Sequence, residues 1–229
     1  TSLIRHVQEV TLGTAQLSAL LLLVQADLEN PKRQGSTFDL LRSVLGRRFV
    51  APELYDTMDQ VSHFMVQAPK SSTRALCART FLTYLLNYPL SPKRLTGYMH
   101  FFLSNLAYSQ SHGRLAVLDM LLAIIKAFPQ EVLAEHAGVV FVPLVQRLGL
   151  EPATDVRAGV GAVLQALLGA LPPLESRKLL DMCVAWASAS QPPAMRRVGL
   201  HGLCLAASGA PQLLAPLLDT CLARSLAEL

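Results

Sequence analysis

An arginine opens an apolar, helix-spaced stretch at Arg33, Arg74, Arg114, Arg157 and Arg196–Arg197, at intervals of 41, 40, 43 and 39 residues. Each is followed by about fifteen residues of helical spacing, a break, and a second helical stretch before the next arginine. A period near 40 with two helices per unit is that of HEAT-type repeats, whose hairpins keep their apolar faces dry only by stacking on neighbours. The expected fold is therefore all-α: an α-solenoid of HEAT/armadillo-like helical hairpins, about five to six repeats, as a single continuous segment over residues 1–229. Stacks of this kind hold partners more often than they transform substrates.

Composition supports that reading. Hydrophobic residues make up 52% and charged residues 16% of the chain, enough apolar surface for a long core and too much for disorder. Leucine dominates the aliphatics, and an unbranched β-carbon favours helix over strand. Mean hydropathy is +0.37, which raises the question of a membrane span. The most apolar run, Leu17–Val24, stops at Gln25 and Asp27, and the run from Leu115 to Ile125 contains Asp119; neither reaches the ~20 apolar residues of a span. Arg5, His6 and Glu9 interrupt any secretory signal. A soluble chain with part of its surface normally covered is expected, with no membrane partner. Residues 1–10 begin inside helix-like sequence and residues 215–229 end in it, with no polar capping face at either end, so an excerpt of a much longer solenoid is expected.

The periodicity places helices at residues 14–27, 32–47, 52–67, 73–88, 93–108, 114–128 and 155–171. Ser71, Ser72 and Thr154 are candidate N-caps. Leu76, Phe81, Leu82, Leu85 and Leu86 are expected to face inward, and Leu85, Leu121 and Leu167 to be fully buried. The fourth unit is irregular: residues 130–135, a break near Gly138, then residues 139–148 bent at Pro143. Pro172–Pro173, Pro192–Pro193 and Pro211 punctuate the last two units.

Little in the chain looks catalytic. It has no phosphate loop, dinucleotide fingerprint, nucleophile elbow or H-E-x-x-H. His6, His63, His100, His112, His136 and His201 are scattered without ligand spacing and read as surface or seam residues, so no metal and no cofactor are expected. Cys77, Cys183, Cys204 and Cys221 sit singly in helical stretches and read as core thiols, with His201 and Cys204 taken as core packing. Glu131 and Glu135 read as a solvated pair on one helix face. No small-molecule substrate is implied.

The cations are the better candidates. Net charge is +4, which suits a phosphate-bearing partner. Lys32, Arg33, Arg42, Arg47 and Arg48 crowd one hairpin with Asp39 alone between them, and Lys93–Arg94 and Arg196–Arg197 open later helices. Along one edge they would make a stripe for an RNA backbone or a partner; solvated helix ends are the alternative. The recurring arginines Arg74, Arg114 and Arg157 read as structural. A cation in the first turn opposes the helix dipole, so hydrogen bonds across the seam between repeats are the expected compensation, with Asp155 a candidate partner for Arg157.

Three blocks carry a more specific likeness: FDLLRSVLGRRFVAPELYDTMDQV at residues 38–61, FLTYLLNYPLSPKRL at 81–95 and GRLAVLDMLLAIIKAFPQEVLAEHAGVVFVPL at 113–144. In order and spacing they resemble the carboxy-terminal region of the DRIM family, the very large HEAT-repeat component of the small-subunit processome. The resemblance covers most of the chain and weakens toward Thr1 and beyond Gly149. It implies a nuclear, nucleolar scaffold without a catalytic centre, acting in 18S ribosomal RNA processing and small-subunit assembly within the 90S pre-ribosome. The implied partners are other processome proteins and the backbone of pre-ribosomal or U-three small nucleolar RNA. The family tends to carry acids just before the Gly-Arg pair at Gly113–Arg114; here the run is YSQSHGR, so any salt bridge from those acids is lost. A HEAT adaptor in transport or signalling is the alternative.

Overall fold

The computed structural model describes residues 12–226, and residues 1–11 (with Arg5, His6 and Glu9) and 227–229 lie outside them. Two compact units are formed, Thr1–Tyr98 and Met99–Leu229. All regular structure among the described residues is helical.

In the first unit, α1 (Thr14–Asp27) and α2 (Gln34–Gly46) form one hairpin, and α3 (Pro52–Gln67) and α4 (Ser71–Asn87) the next. Each hairpin packs internally, α1 lies on α3, and α2 lies on α4, so first helices form one layer and second helices the other. The stripe Leu54, Met58, Val61 and Met65 on α3 is wholly buried, as are Phe38, Leu41 and Val44 on α2. Helix α5 (Pro92–Asn105) contributes Tyr98 to this unit. Tyr98 meets Phe81 edge-on at 4.9 Å and donates its hydroxyl to Asp59 Oδ1 at 2.7 Å, so this apolar layer carries a satisfied polar handle.

The second unit repeats the arrangement with α6 (Ser111–Ala127), α7 (Gln130–Leu150), α8 (Thr154–Ala170), α9 (Pro173–Trp186) and α10 (Pro193–Gly209). Helix α6 packs on α8 and α8 on α10, while α7 pairs with α8 and α9 with α10. A short helix α11 (Pro211–Leu214), a 3₁₀ turn (Ala215–Leu217) and α12 (Leu218–Leu226) follow. Leu85, Leu121 and Leu167 are buried as the spacing requires.

Local expectations fail where local signals compete with packing. Helix α7 runs unbroken through Gly138 and Pro143, because Ala137, Val140, Phe141 and Leu144 are buried on one continuous face. The carbonyl that Pro143 leaves without a helical donor is four residues back, at the exposed Val139, where solvent can reach it. By length and composition α7 alone among the described helices could cross a membrane, yet its apolar stripe packs against α8 and α10, as core helices do. Leu86 is 47% exposed, not inward; one residue from Leu85, it is turned off the buried stripe. Neither Ser71, Ser72 nor Thr154 caps: Lys70 and Ala153 hold those positions and make no side-chain bond. Cys77 and Cys183 are core thiols, pushed up to about 12 by burial, but Cys204 is exposed and Cys221 half-buried, and His201 shares the exposure of Cys204.

Candidate functional site

The recurring arginine occupies a fixed register. Arg74, Arg114, Arg157 and Arg196 are each the fourth residue of the second helix of a hairpin, and Arg33 stands just before α2. From there each side chain turns back five or six residues. Arg74 Nη1 donates to the carbonyls of Ala68 and Pro69 at 2.9 and 2.8 Å, and Arg114 Nη1 to those of Tyr108 and Ser109 at 2.8 and 3.1 Å. Arg157 reaches the Glu151 carbonyl and Arg196 the Gln191 carbonyl, both at 3.0 Å, while Arg33 pairs with Asp27 at 3.0 Å. Ala68 and Glu151 are the C-caps of α3 and α7, whose last carbonyls lack helical donors. A cation misplaced against the dipole of its own helix thus serves the negative end of the antiparallel helix before it.

Arg114 does more. Its Nη2 lies 2.8 Å from Glu151 Oε1, a residue 37 positions on at the turn of the next hairpin. Arg147 holds the other oxygen at 2.6 Å, and the Ala153 N–H donates to Oε1 at 3.0 Å. Glu151 is 2% exposed and Arg114 7%. Burial alone would raise the Glu151 pKa, but the Ala153 N–H and the two guanidiniums outweigh it and hold the carboxyl below its ordinary value. Nothing in the periodic pattern marks Glu151; the one readable clue is a carboxylate at a helix C-terminus, where the dipole disfavours it. Asp155, beside Arg157, instead accepts from the Val156 N–H.

The other candidate cations divide by position. In the first unit, Lys32 and Arg33 lie at the turn within a hairpin, whereas Arg47 and Arg48, in the loop after α2, and Lys93 and Arg94, in the first turn of α5, lie at the opposite edge. Arg42 sits within α2, half-buried and paired with Asp39. At the inter-hairpin edge a basic corner forms. Tyr88, just past α4, donates to the Phe49 carbonyl at 2.9 Å, drawing that loop against the α4 end. Arg47 lies 5.4 Å from the Phe49 ring centroid and Arg94 4.3 Å from that of Tyr55, so both guanidiniums are held by aromatic faces. Lys93 and Arg48 are exposed beside them. Arg48 is the single described non-glycine residue with positive φ, at 53°. It follows the helix end at the position where glycine ordinarily makes the left-handed turn. The glycine lies instead two residues earlier, at Gly46, inside the helix, so the sequence gives no hint of this turn. In the second unit Arg196 is engaged with its turn and Arg197 is exposed.

Antiparallel helix pairs stacked in two layers, with a cation tying each turn, define a helical-repeat protein of the HEAT/armadillo-like class. Within that class the chain is homologous to U3 small nucleolar RNA-associated protein 20. It is 34% identical to the protein of that name from Schizosaccharomyces pombe over 141 residues, 62% of this chain, and 28% identical to that from Saccharomyces cerevisiae over 179 residues, 78% of it. The matched stretch spans only 6% and 7% of those two proteins. The similarity agrees with the resemblance carried by the three sequence blocks. No protein-family model matches the chain.

Proposed function

We propose that this chain acts in ribosome biogenesis as a non-catalytic scaffold of the small-subunit processome, supporting 18S ribosomal RNA processing in the nucleolus. The homology to U3 small nucleolar RNA-associated protein 20 carries the reading. The fold is in keeping with it: paired helices in two layers offer long faces to proteins, and the arginines with buried partners serve the scaffold itself. RNA contact falls to the basic corner, where exposed Arg48 and Lys93 stand beside Arg47 and Arg94 on their aromatic supports. A non-glycine residue held in the left-handed region at an exposed cationic corner is the kind of local strain that accompanies binding sites. Backbone phosphates are the fitting ligand, because no array of base-stacking aromatics accompanies the cations.

The reading is tested by precipitating the tagged full-length protein from nucleolar extract and probing for U3 small nucleolar RNA and 18S precursors. Co-enrichment of both is expected. A full-length protein that brings down neither, while its partners are those of nuclear transport or phosphatase signalling, belongs to the adaptor reading instead.

A further inference from the structure

Helices α7 and α10 of the second unit meet closely at one end and leave a groove. At Gly149 an added β-carbon would lie 3.6 Å from His201 Nδ1 and 3.8 Å from Val198 Cγ2, so a side chain there would narrow the groove. The groove encloses about 350 Å³ between Gln146, Gly149 and Leu150 on one side and Ala194, Met195, Arg197, Val198 and His201 on the other. Its apolar surface is unusual in being presented: Leu150 is 74% exposed, the most exposed large hydrophobic residue described. Its charge is one-sided, since Arg197 and His201 are exposed along α10 and none of the lining residues is acidic. The acid nearest in sequence, Glu151, is committed to Arg114, Arg147 and the Ala153 N–H.

We infer that this groove docks a short peptide segment of a partner protein, with one aliphatic or aromatic side chain against Leu150 and Met195 and an adjacent carboxylate on Arg197. The volume suits one or two side chains rather than a helix or a small domain. Methionine and leucine walls accept several anchor shapes, and a single arginine at the rim selects the sign of the flanking charge. A nucleic-acid strand is the poorer fit, because it would leave Leu150 facing a charged backbone. The inference concerns the second unit alone and does not depend on the ribosome-biogenesis reading.

The test uses the 229-residue chain. A phage-displayed random dodecapeptide library is selected on it, and the enriched peptides are synthesised with a fluorescent label for anisotropy titration. Enrichment of Leu, Ile, Met or Phe beside Asp or Glu is expected. Leu150→Asp should weaken those peptides at least tenfold, and Arg197→Glu should switch the selected flank from acidic to basic; both sites are exposed, so circular dichroism and melting should stay unchanged. The proposal is overturned if nothing enriches, if basic peptides enrich on the unaltered chain, or if both variants bind the selected peptides as before. It is equally overturned if Arg197→Glu abolishes binding of labelled oligouridine while leaving the peptides unaffected.

Discussion

At the scale of single residues, two side chains sit where ordinary preferences would not put them. Glu151 is a carboxylate at a helix C-terminus, stable there because three donors converge on it inside the protein. Removing it leaves Arg114 charged in a dry site, which is where truncating a buried ion pair is most costly. Glu151→Ala is expected to lose about 3–5 kcal/mol in urea unfolding at neutral pH. Replacing Arg114 and Glu151 together by Met and Leu should cost much less. Because the folded protein holds the Glu151 carboxyl below the usual carboxylate range, its contribution is complete above the unfolded chain's value and fades as the pH falls through the depressed folded value. The gap between parent and Glu151→Ala should therefore narrow in acid. Arg48 makes the opposite case. An L-residue in the left-handed region costs about 1–2 kcal/mol, of which glycine recovers part after its greater freedom in the unfolded chain is counted. Arg48→Gly should raise stability by about 1 kcal/mol while weakening RNA binding. A gain in melting temperature without loss of RNA affinity would remove Arg48 from the proposed interface.

Between elements, the second unit depends on close helix crossings. A β-carbon at Gly199 of α10 would come within 2.5 Å of the Cys183 carbonyl oxygen and 2.6 Å of the Ala187 nitrogen. These are backbone atoms of α9 and its C-cap, and they can move only by parting the hairpin. Gly199→Ala is expected to cost about 1–3 kcal/mol, the range for overpacking. Gly138, in the middle of α7, faces nothing within 4 Å. Gly138→Ala should instead gain about 0.5–1 kcal/mol through helix propensity. Parallel thermal melts of the two variants give the comparison, and equal shifts would contradict the α9–α10 geometry. The contrast shows why Gly138 misleads as a helix breaker. A glycine weakens a helix only locally, and here the buried stripe from Leu133 to Val145 carries the helix across it.

For the molecule as a whole, charge is spread thinly: net +4 over 229 residues, with many guanidiniums tied to carbonyls, carboxylates or rings. Any RNA affinity should come from the cations left exposed and untied. Each phosphate-contacting cation contributes roughly 0.7–0.9 to the slope of log affinity against log salt. Replacing Arg48 and Lys93 together by Ala should make that slope shallower by about 1.5. An unchanged slope would move the RNA contact elsewhere.

Most helices and most inward leucines, though not the unbroken α7 or the exposed Leu86, followed from the chain alone, because a helix repeats every 3.6 residues and its apolar stripe is written in nearby positions. The forty-residue recurrence was equally plain, and so was the need for the arginines to find partners. Who those partners are was settled only by the folded stack. Arg114 meets Glu151 because one hairpin lies against the next, Arg94 is held by the ring of Tyr55 on a helix distant in sequence, and Leu150 and Arg197 share a groove because α7 crosses α10 at Gly149. Such pairings join residues tens of positions apart, and local periodicity carries no record of them.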